Sequence, residues 1–306
     1  MDSAVYDEII RSLHSRGWTD LDLVQAELTE EFPEVAEHSI RSILCQEYQR
    51  HVKATFKLHH SEERKAAVYE ELMRQLESQE GVGGGGEGGG GGGALLSLAL
   101  SSGSSPALTA RSVLEHHCRS DSSDGEKSQV SLMMKDTTLI EDGRLAREVF
   151  LATIKDDSYG CFAEAIKQSI GEEHEQKIKD LLTELDIPFA DEHDMRSQGY
   201  DKTPDIKLEV PVAVDGFIIN WIESKALFGD PEAHSGYLRD QLWSYLNRFG
   251  PGLVIYWFGY VNQLDVHRNA GIILRDSFPT DIVRFNPGGN KNFLNLENGE
   301  DCLLNE

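Results

Sequence analysis

Three charged residues border one apolar, strand-like stretch of the chain. The stretch is "GYDKTPDIKLEVPVAVDGFIINWIESKALFGD", with Asp205 near its start and Glu223 and Lys225 near its end. A charge buried in a strand needs a partner or a chemical role, because burying it alone is costly. Carboxylates bind hard divalent cations, and a nearby cationic group can assist the attacking water or the scissile phosphate. These residue types suit metal-assisted hydrolysis of a phosphodiester.

A hairpin would bring the three charges together. Asp215 and Gly216 lie midway between Asp205 and Lys225 and form a strong two-residue turn signal. Positions two apart in a strand share a face, so the second strand is expected to carry one row of side chains: Ile219, Trp221, Glu223 and Lys225. The residue pattern alone leaves a simpler alternative open, in which Glu223 and Lys225 pair at a strand end and Asp205 caps the other strand.

The same residues carry a resemblance to known families. Thr203-Pro204-Asp205 followed by Glu223-Ser224-Lys225 resembles the PD-(D/E)xK nuclease signature. With the segments "WIESKALFGD" and "DQLWSYLNRFGPGLVIYW" around them, the chain more closely resembles the codanin-interacting nuclease family, whose members carry this TPD motif. The resemblance is strongest from about residue 170 to residue 278. The Gly-rich spacer and the Asn/Glu-rich tail have no counterpart in it.

The resemblance implies a fold, a chemistry and a partner. The fold is restriction-endonuclease-like, a mixed sheet with flanking helices. Asp205 and Glu223 are implied as ligands of Mg²⁺ or Mn²⁺, and Lys225 as the residue that orients or activates the attacking water. The implied partner is a codanin homologue, with links to chromatin assembly and erythroid cell differentiation. The implied location is the nucleus and the cytoplasm.

Related nucleases add residues from the helices beside the sheet, and two such additions have matches here. In "GEEHEQKIKDLLTEL" we expect Glu175 to be a third metal ligand, because Ile178 and Leu182 follow it on the core side. Glu173 is the second choice, and a solvated acidic helix start is the alternative. A Q-x-x-x-Y element matches Gln241 and Tyr245. We expect Gln241 to hold a water molecule or a substrate base, and Tyr245 to pack in the core.

Two helical segments have the order of a helix-turn-helix. Residues 1–80 contain three helical patterns, and residues 41–65 hold six Lys or Arg against three Glu. The second segment, residues 95–118, has two short helices with Gly103 between them. Ser105 is expected to cap the second of these with Pro106 at its first position. Its outward face is expected to carry Thr109, Arg111 and Ser112, and a single Arg makes this a poor DNA-reading surface.

These patterns predict an α+β protein with an N-terminal all-helical region containing helix-turn-helix-like units and a C-terminal restriction-endonuclease-like α/β domain. The expected divisions are a helical bundle at 1–80, a Gly-rich linker at 81–94, a second helix-turn-helix-like unit at 95–118, a Ser/Asp-rich linker at 119–138, the nuclease-like domain at 139–286 and a disordered tail at 287–306.

Charge restricts the possible functions. The net charge of −24 repels nucleic acid over long distances, and no apolar run approaches the roughly 18 residues of a membrane span. Three functions stay open. The first is a metal-dependent nuclease acting on DNA or structured nucleic acid. The second is a catalytically weak or inactive nuclease-fold scaffold that binds codanin, which the charge favours. The third and weakest is a sequence-specific regulator.

Overall fold

The computed structural model describes residues 1–18, 20–80, 93–118 and 126–285. Its helices are α1 (Ser3–Arg16), α2 (Leu21–Glu31), α3 (Glu37–His59), α4 (Glu62–Glu80), α5 (Ala94–Ser102), α6 (Pro106–His117), α7 (Glu126–Lys135), α8 (Gly143–Ile154), α9 (Ala163–Glu184), α10 (Glu192–Ser197), α11 (Pro231–Tyr237) and α12 (Trp243–Phe249). Its strands are β1 (Phe189–Asp191), β2 (Ile206–Val214), β3 (Phe217–Lys225), β4 (Gly252–Tyr256), β5 (Ile272–Arg275) and β6 (Val283–Arg284). A π-helical turn, Leu238–Leu242, joins α11 to α12.

The predicted α+β class is confirmed. Helices fill the N-terminal part, and a mixed six-stranded sheet lies within residues 126–285. Three predicted segments fall wholly or partly outside the described residues. They are most of the Gly-rich linker (81–92), part of the Ser/Asp-rich linker (119–125) and the tail (286–306).

The first three helices form a small bundle that packs on the C-terminal domain. The predicted apolar faces are buried at Tyr6, Ile9 and Leu13 of α1 and at Ile40 and Ile43 of α3. The bundle core continues into Phe228 and Val261, which belong to the C-terminal domain. Because apolar side chains from both regions share one cluster, the bundle is held to the domain by hydrophobic burial.

The second helical core is built from α4 to α8, so α4 packs here and not in the core of α1–α3. The predicted start of α6 is confirmed, since Ser105 accepts a hydrogen bond from the Leu108 backbone N–H and Pro106 occupies the first turn. The predicted outward face is wrong. Thr109 and Ser112 are buried, because Ser104 and His60 cover them and bond to their hydroxyls at 2.9 and 2.7 Å.

The sheet has the strand order β1-β2-β3-β4-β5, with β6 pairing to the far half of β2. The β1/β2 and β2/β3 pairs are antiparallel, whereas β3/β4 and β4/β5 are parallel. Helix α9 covers one face through Ile178 and Leu182. The π-helical turn and α12 cover the other face through Leu242 and Tyr245. All five residues of β4 are buried, as expected for a parallel strand covered on both faces.

The β2–β3 hairpin is confirmed, and its turn is the predicted Asp215-Gly216 pair. Both residues have positive φ, 53° and 78°. A two-residue turn of this kind matches the right-handed twist of the strands that it joins. Arg268 and Arg275 also bind the Asp215 carboxylate, which ties the turn to β5 and to the 3-10 helix before it, Asn262–Ala270.

A β-bulge in β2 decides which residues of the hairpin face each other. The pairs on its two sides are Val212–Ile219 and Ile206–Ile222. An unbroken ladder would place Asp205 opposite Ala226, but the register shifts by three residues and brings Asp205 level with Glu223. Pro211 lies within the shift and has no N–H to donate to a ladder. The bulge therefore aligns the two carboxylates.

The predicted row of side chains on β3 holds only in part. Trp221 packs on the α12 side of the sheet with Tyr245, whereas Ile219 packs on the α9 side together with Ile222. The register irregularity interrupts the alternation between Ile219 and Trp221. Ile219 therefore does not share a face with the charged residues.

Candidate active site

The hairpin brings Asp205, Glu223 and Lys225 together. Glu223 accepts hydrogen bonds through both carboxylate oxygens, from Lys225 Nζ at 2.6 Å and from the Asp205 backbone N–H at 3.2 Å. The Asp205 carboxylate accepts from the Ser224 backbone N–H at 2.7 Å. Each carboxylate thus accepts a hydrogen bond from a backbone N–H on the other side of the hairpin.

Both buried carboxyl groups of the cluster have raised pKa values. Glu223 is only 2% exposed, and its burial and the nearby charge of Asp205 raise its pKa. Burial also raises the pKa of Asp205, although Lys225 opposes this effect. Burial lowers the pKa of Lys225, but the two carboxylates outweigh it and the net shift is upward. Lys225 is therefore a cation at neutral pH.

Two residues from the α11 region fix the Lys225 side chain. Gln241 accepts from Lys225 Nζ through its Oε1 at 3.1 Å. Nζ also lies 4.6 Å from the centre of the Tyr237 ring, in a cation–π contact. Gln241 belongs to the π-helical turn, and such turns are frequent at functional sites. Tyr245 packs in the core as predicted, edge-on to Trp221.

The expected third carboxylate approaches from α9. Glu175 is half-buried, whereas Glu173 is exposed. Burial and the charge of Asp205 raise the pKa of Glu175 to about 7. Glu175 therefore lies close enough to Asp205 for the charge of Asp205 to affect its pKa. Among the described residues, no three His, Cys, Asp or Glu side chains converge as a ready set of metal ligands.

Comparison with known proteins places the chain in a family. A family model described as "Protein of unknown function TPD sequence-motif" matches residues 141–278, which include Thr203-Pro204-Asp205. The protein named CDAN1-interacting nuclease 1 from Homo sapiens is 43% identical over 281 residues, covering 92% of this chain and 96% of that protein. The chain belongs to the CDAN1-interacting nuclease 1 family. The Danio rerio member is 44% identical over 252 residues, covering 82% of this chain and 81% of that protein.

No solved structure matches the chain. None of the helices within the described residues combines the length and the apolar character that a membrane span requires.

The donor set of this family member fits a hard divalent cation. Mg²⁺ is usually held by one or two protein carboxylates and keeps several waters, and Asp205 and Glu223 are such a pair. Burial raises the pKa values of Asp205, Glu223 and Glu175, and the charge of Asp205 adds to the shifts of Glu223 and Glu175. A bound cation would favour the ionised form of each carboxyl group. Asp205 and Glu223 would hold the ion, with Glu175 beside them.

Several residues at the site were not found by sequence reasoning. Glu192 on α10 adds negative charge that raises the pKa of both Asp205 and Glu175. Tyr237, whose ring contacts the Lys225 ammonium, is the second residue that sequence reasoning did not find. Neither has a sequence signal of its own, since α10 and α11 reach the site only through the packing of the sheet. Asp230 did have one, because Asp-Pro is a helix-start pattern and Asp230 caps α11.

Helix α3 braces the loop between β3 and α11. Ser42 Oγ accepts from the Phe228 backbone N–H at 2.8 Å, and Gln46 Nε2 donates to the Phe228 carbonyl at 3.0 Å. Arg50 binds the buried Asp230 carboxylate at 2.7 Å. The N-terminal bundle therefore holds the loop at Phe228 and the start of α11 at Asp230.

Proposed function

We propose that the chain is a metal-dependent nuclease. In this reaction water adds to a phosphodiester phosphorus, a P–O ester bond breaks, and a phosphate monoester and a hydroxyl group result. The observation that carries the proposal is the buried Asp205–Glu223–Lys225 cluster, which joins two carboxylates and one cation at the end of a sheet. The name of the relatives, CDAN1-interacting nuclease 1, supports the same reaction class.

Each residue has a distinct part in the proposed reaction. Asp205 and Glu223 would hold Mg²⁺ or Mn²⁺, which supplies positive charge at the phosphate when bound. Lys225 keeps its proton at neutral pH, so it acts as a hydrogen-bond donor to the attacking water or to a phosphate oxygen. Gln241 accepts from the same ammonium and limits its motion. Glu175 adds a carboxylate on the α9 side.

A metal titration combined with a cleavage assay tests the proposal. Mg²⁺ or Mn²⁺ is titrated calorimetrically into wild type, Asp205→Asn and the exposed control Asp240→Asn. Cleavage is measured on single-stranded, duplex, flap and junction substrates. We expect metal binding and cleavage in wild type and the control, and neither in Asp205→Asn. Absence of cutting on every substrate with both metals would reject the enzymatic function.

A second function, binding of a codanin homologue, has its own support. The relatives are named for interaction with CDAN1, and the net charge of −24 favours a protein partner over nucleic acid. The nucleus and the cytoplasm are the proposed locations. A pull-down of a codanin homologue by wild type and Asp205→Asn tests this function. Equal capture by both would separate the binding function from the carboxylate site, and no capture by wild type would reject it.

A further inference from the structure

A cleft of about 1000 Å³ adjoins the candidate site. It lies between α3 and the first half of α9, and it reaches β3 at Ser224 and Lys225. Gly171, which also lines it, precedes Glu175 by one helical turn. Lys225 is therefore shared by the cleft and the nuclease proposal.

The two walls of the cleft differ in chemistry. The wall formed by the end of α8, the turn after it and the start of α9 exposes three large apolar side chains: Ile154, Phe162 and Ile166, each about half exposed. The carboxylates on the same side are Asp156, Asp157 and Glu164. The α3 wall is polar and includes His38, Arg41 and Gln49. Thr153 lies in the lining, and its buried Oγ1 has no hydrogen-bond partner among the described residues.

We propose that this cleft binds a single-stranded segment of nucleic acid, such as an overhang or a flap, and leads it to Lys225. The inference rests on the proposed nuclease function and adds the substrate class. Bases would stack on Phe162 and contact Ile154 and Ile166. The sugar-phosphate chain would pass between Arg41 of the α3 wall and Lys167 of α9.

Electrostatics argues against an uninterrupted duplex as the ligand. Affinity for duplex DNA comes largely from many phosphate contacts by Lys and Arg, and the whole chain carries a charge of −24. Apart from Lys225, the cationic side chains of the lining are Arg41 and Lys167. Both have competing partners, Asp157 at 3.0 Å and the Ser158 carbonyl at 3.2 Å. Two such contacts cannot supply duplex affinity.

Base stacking on aromatic side chains is the remaining source of affinity for nucleic acid. A base stacked on an aromatic side chain contributes about 1–3 kcal/mol without needing positive charge. Only unpaired bases offer their faces in this way. The cleft of this acidic protein combines exposed apolar side chains with Lys225. It is therefore suited to unpaired strands.

Fluorescence anisotropy tests the inference without relying on activity. The probes are a labelled oligothymidine and a blunt duplex of equal length, both in EDTA. We expect the single strand to bind more tightly. We also expect Phe162→Ala to weaken its binding about 5- to 150-fold, whereas Phe285→Ala, which removes a Phe that is more exposed (72% against 54%) and lies outside the cleft, has no effect. Ile166→Ser provides a second cleft variant, with circular dichroism to verify folding.

Salt dependence gives a second readout. Each phosphate contact on a single strand contributes about −0.7 to the slope of log affinity against log salt. Contacts by Arg41 and Lys167 predict a slope of about −1.4, reduced by Lys167→Ala and unchanged by Lys135→Ala, which lies outside the cleft. If the single strand and the duplex showed the same steep slope of log affinity against log salt, the inference would be overturned.

The remaining outcomes separate the cleft from the reaction. If Phe162→Ala and Phe285→Ala bind and cut alike while Asp205→Asn cuts nothing, the nuclease function stands and the cleft inference fails. If wild type cuts nothing but binds single strands through Phe162, the nuclease function fails and the binding inference stands. Binding of a codanin fragment through Phe162, with no oligonucleotide binding, would assign the cleft to a protein helix and overturn the inference.

Discussion

The Lys225 ammonium lies 2.6 Å from Oε1 of Glu223, and the two side chains are only 13% and 3% exposed. A buried ion pair seldom stabilises a protein more than well-packed apolar residues would, because both charges lose their hydration. Its presence at a strand end beside Asp205 and Gln241 is better explained by function.

Lys225→Met should remove both activity and stability. Loss of the cation should lower cleavage by about 10²- to 10⁴-fold. It also leaves Glu223 buried without its partner, which should lower the free energy of unfolding by about 3 kcal/mol. The double variant Glu223→Gln/Lys225→Met should regain part of the stability but none of the cleavage. Urea unfolding and a cleavage assay measure both effects, and a stable, active Lys225→Met variant would contradict them.

The pH dependence of stability should report on Glu175. Its pKa is raised from its ordinary 4.5 to about 7 by burial and by Asp205, so the folded protein binds this proton more tightly than the unfolded chain does. The corresponding stability is complete below pH 4.5 and is lost as pH rises towards and through about 7. Urea unfolding in EDTA should show this decline in wild type.

Two variants isolate that contribution. Glu175→Gln cannot lose a proton, so its free energy of unfolding should not decline for this reason across the same pH range. Glu173→Gln, which changes an exposed carboxylate two residues away, should keep the wild-type profile. Identical profiles for wild type and Glu175→Gln would show that burial of this carboxylate has no energetic effect.

The bond between Arg50 and Asp230 should hold the N-terminal bundle on the C-terminal domain. Asp230 is 1% exposed, and Arg50 donates to it at 2.7 Å. Arg50→Met should lower the free energy of unfolding by about 1.5–3 kcal/mol, the usual value for a hydrogen bond to a charged group. The control is Arg41→Met, whose pair with Asp157 is exposed on both sides and should contribute at most about 1 kcal/mol. Equal losses in the two variants would contradict this account.

Gly252 should be sensitive to a single methyl group. A Cβ at this position in β4 would overlap the ring of Trp221, which is fully buried on the strand that carries Glu223. Gly252→Ala should therefore lower the free energy of unfolding by about 1–3 kcal/mol through overpacking. Gly236→Ala in α11 meets no atom within 4 Å and should stabilise by up to about 1 kcal/mol. Thermal unfolding compares the two, and a neutral Gly252→Ala would contradict the expected clash.

Local features of the fold were predictable from sequence. The Ser105-Pro106 helix start, the Asp215-Gly216 turn and the apolar face of α3 depend on residues that are neighbours in the chain. Backbone preferences and capping act over this short range. The outward face assigned to α6 was wrong because His60, 52 residues away, covers Ser112. A helical pattern does not reveal which other element packs against a helix.

The sequence by itself determined the types of residue at the site, Asp205, Glu223 and Lys225, and the turn that folds their strands together. Only the tertiary structure decided that Asp205 faces Glu223 and not Ala226, because a bulge shifts the ladder by three residues. It also decided that Gln241 and Tyr237 hold the Lys225 ammonium and that Arg50 binds Asp230. Such contacts join distant parts of the chain, and they form only where the packing of whole strands and helices brings those parts within bonding distance.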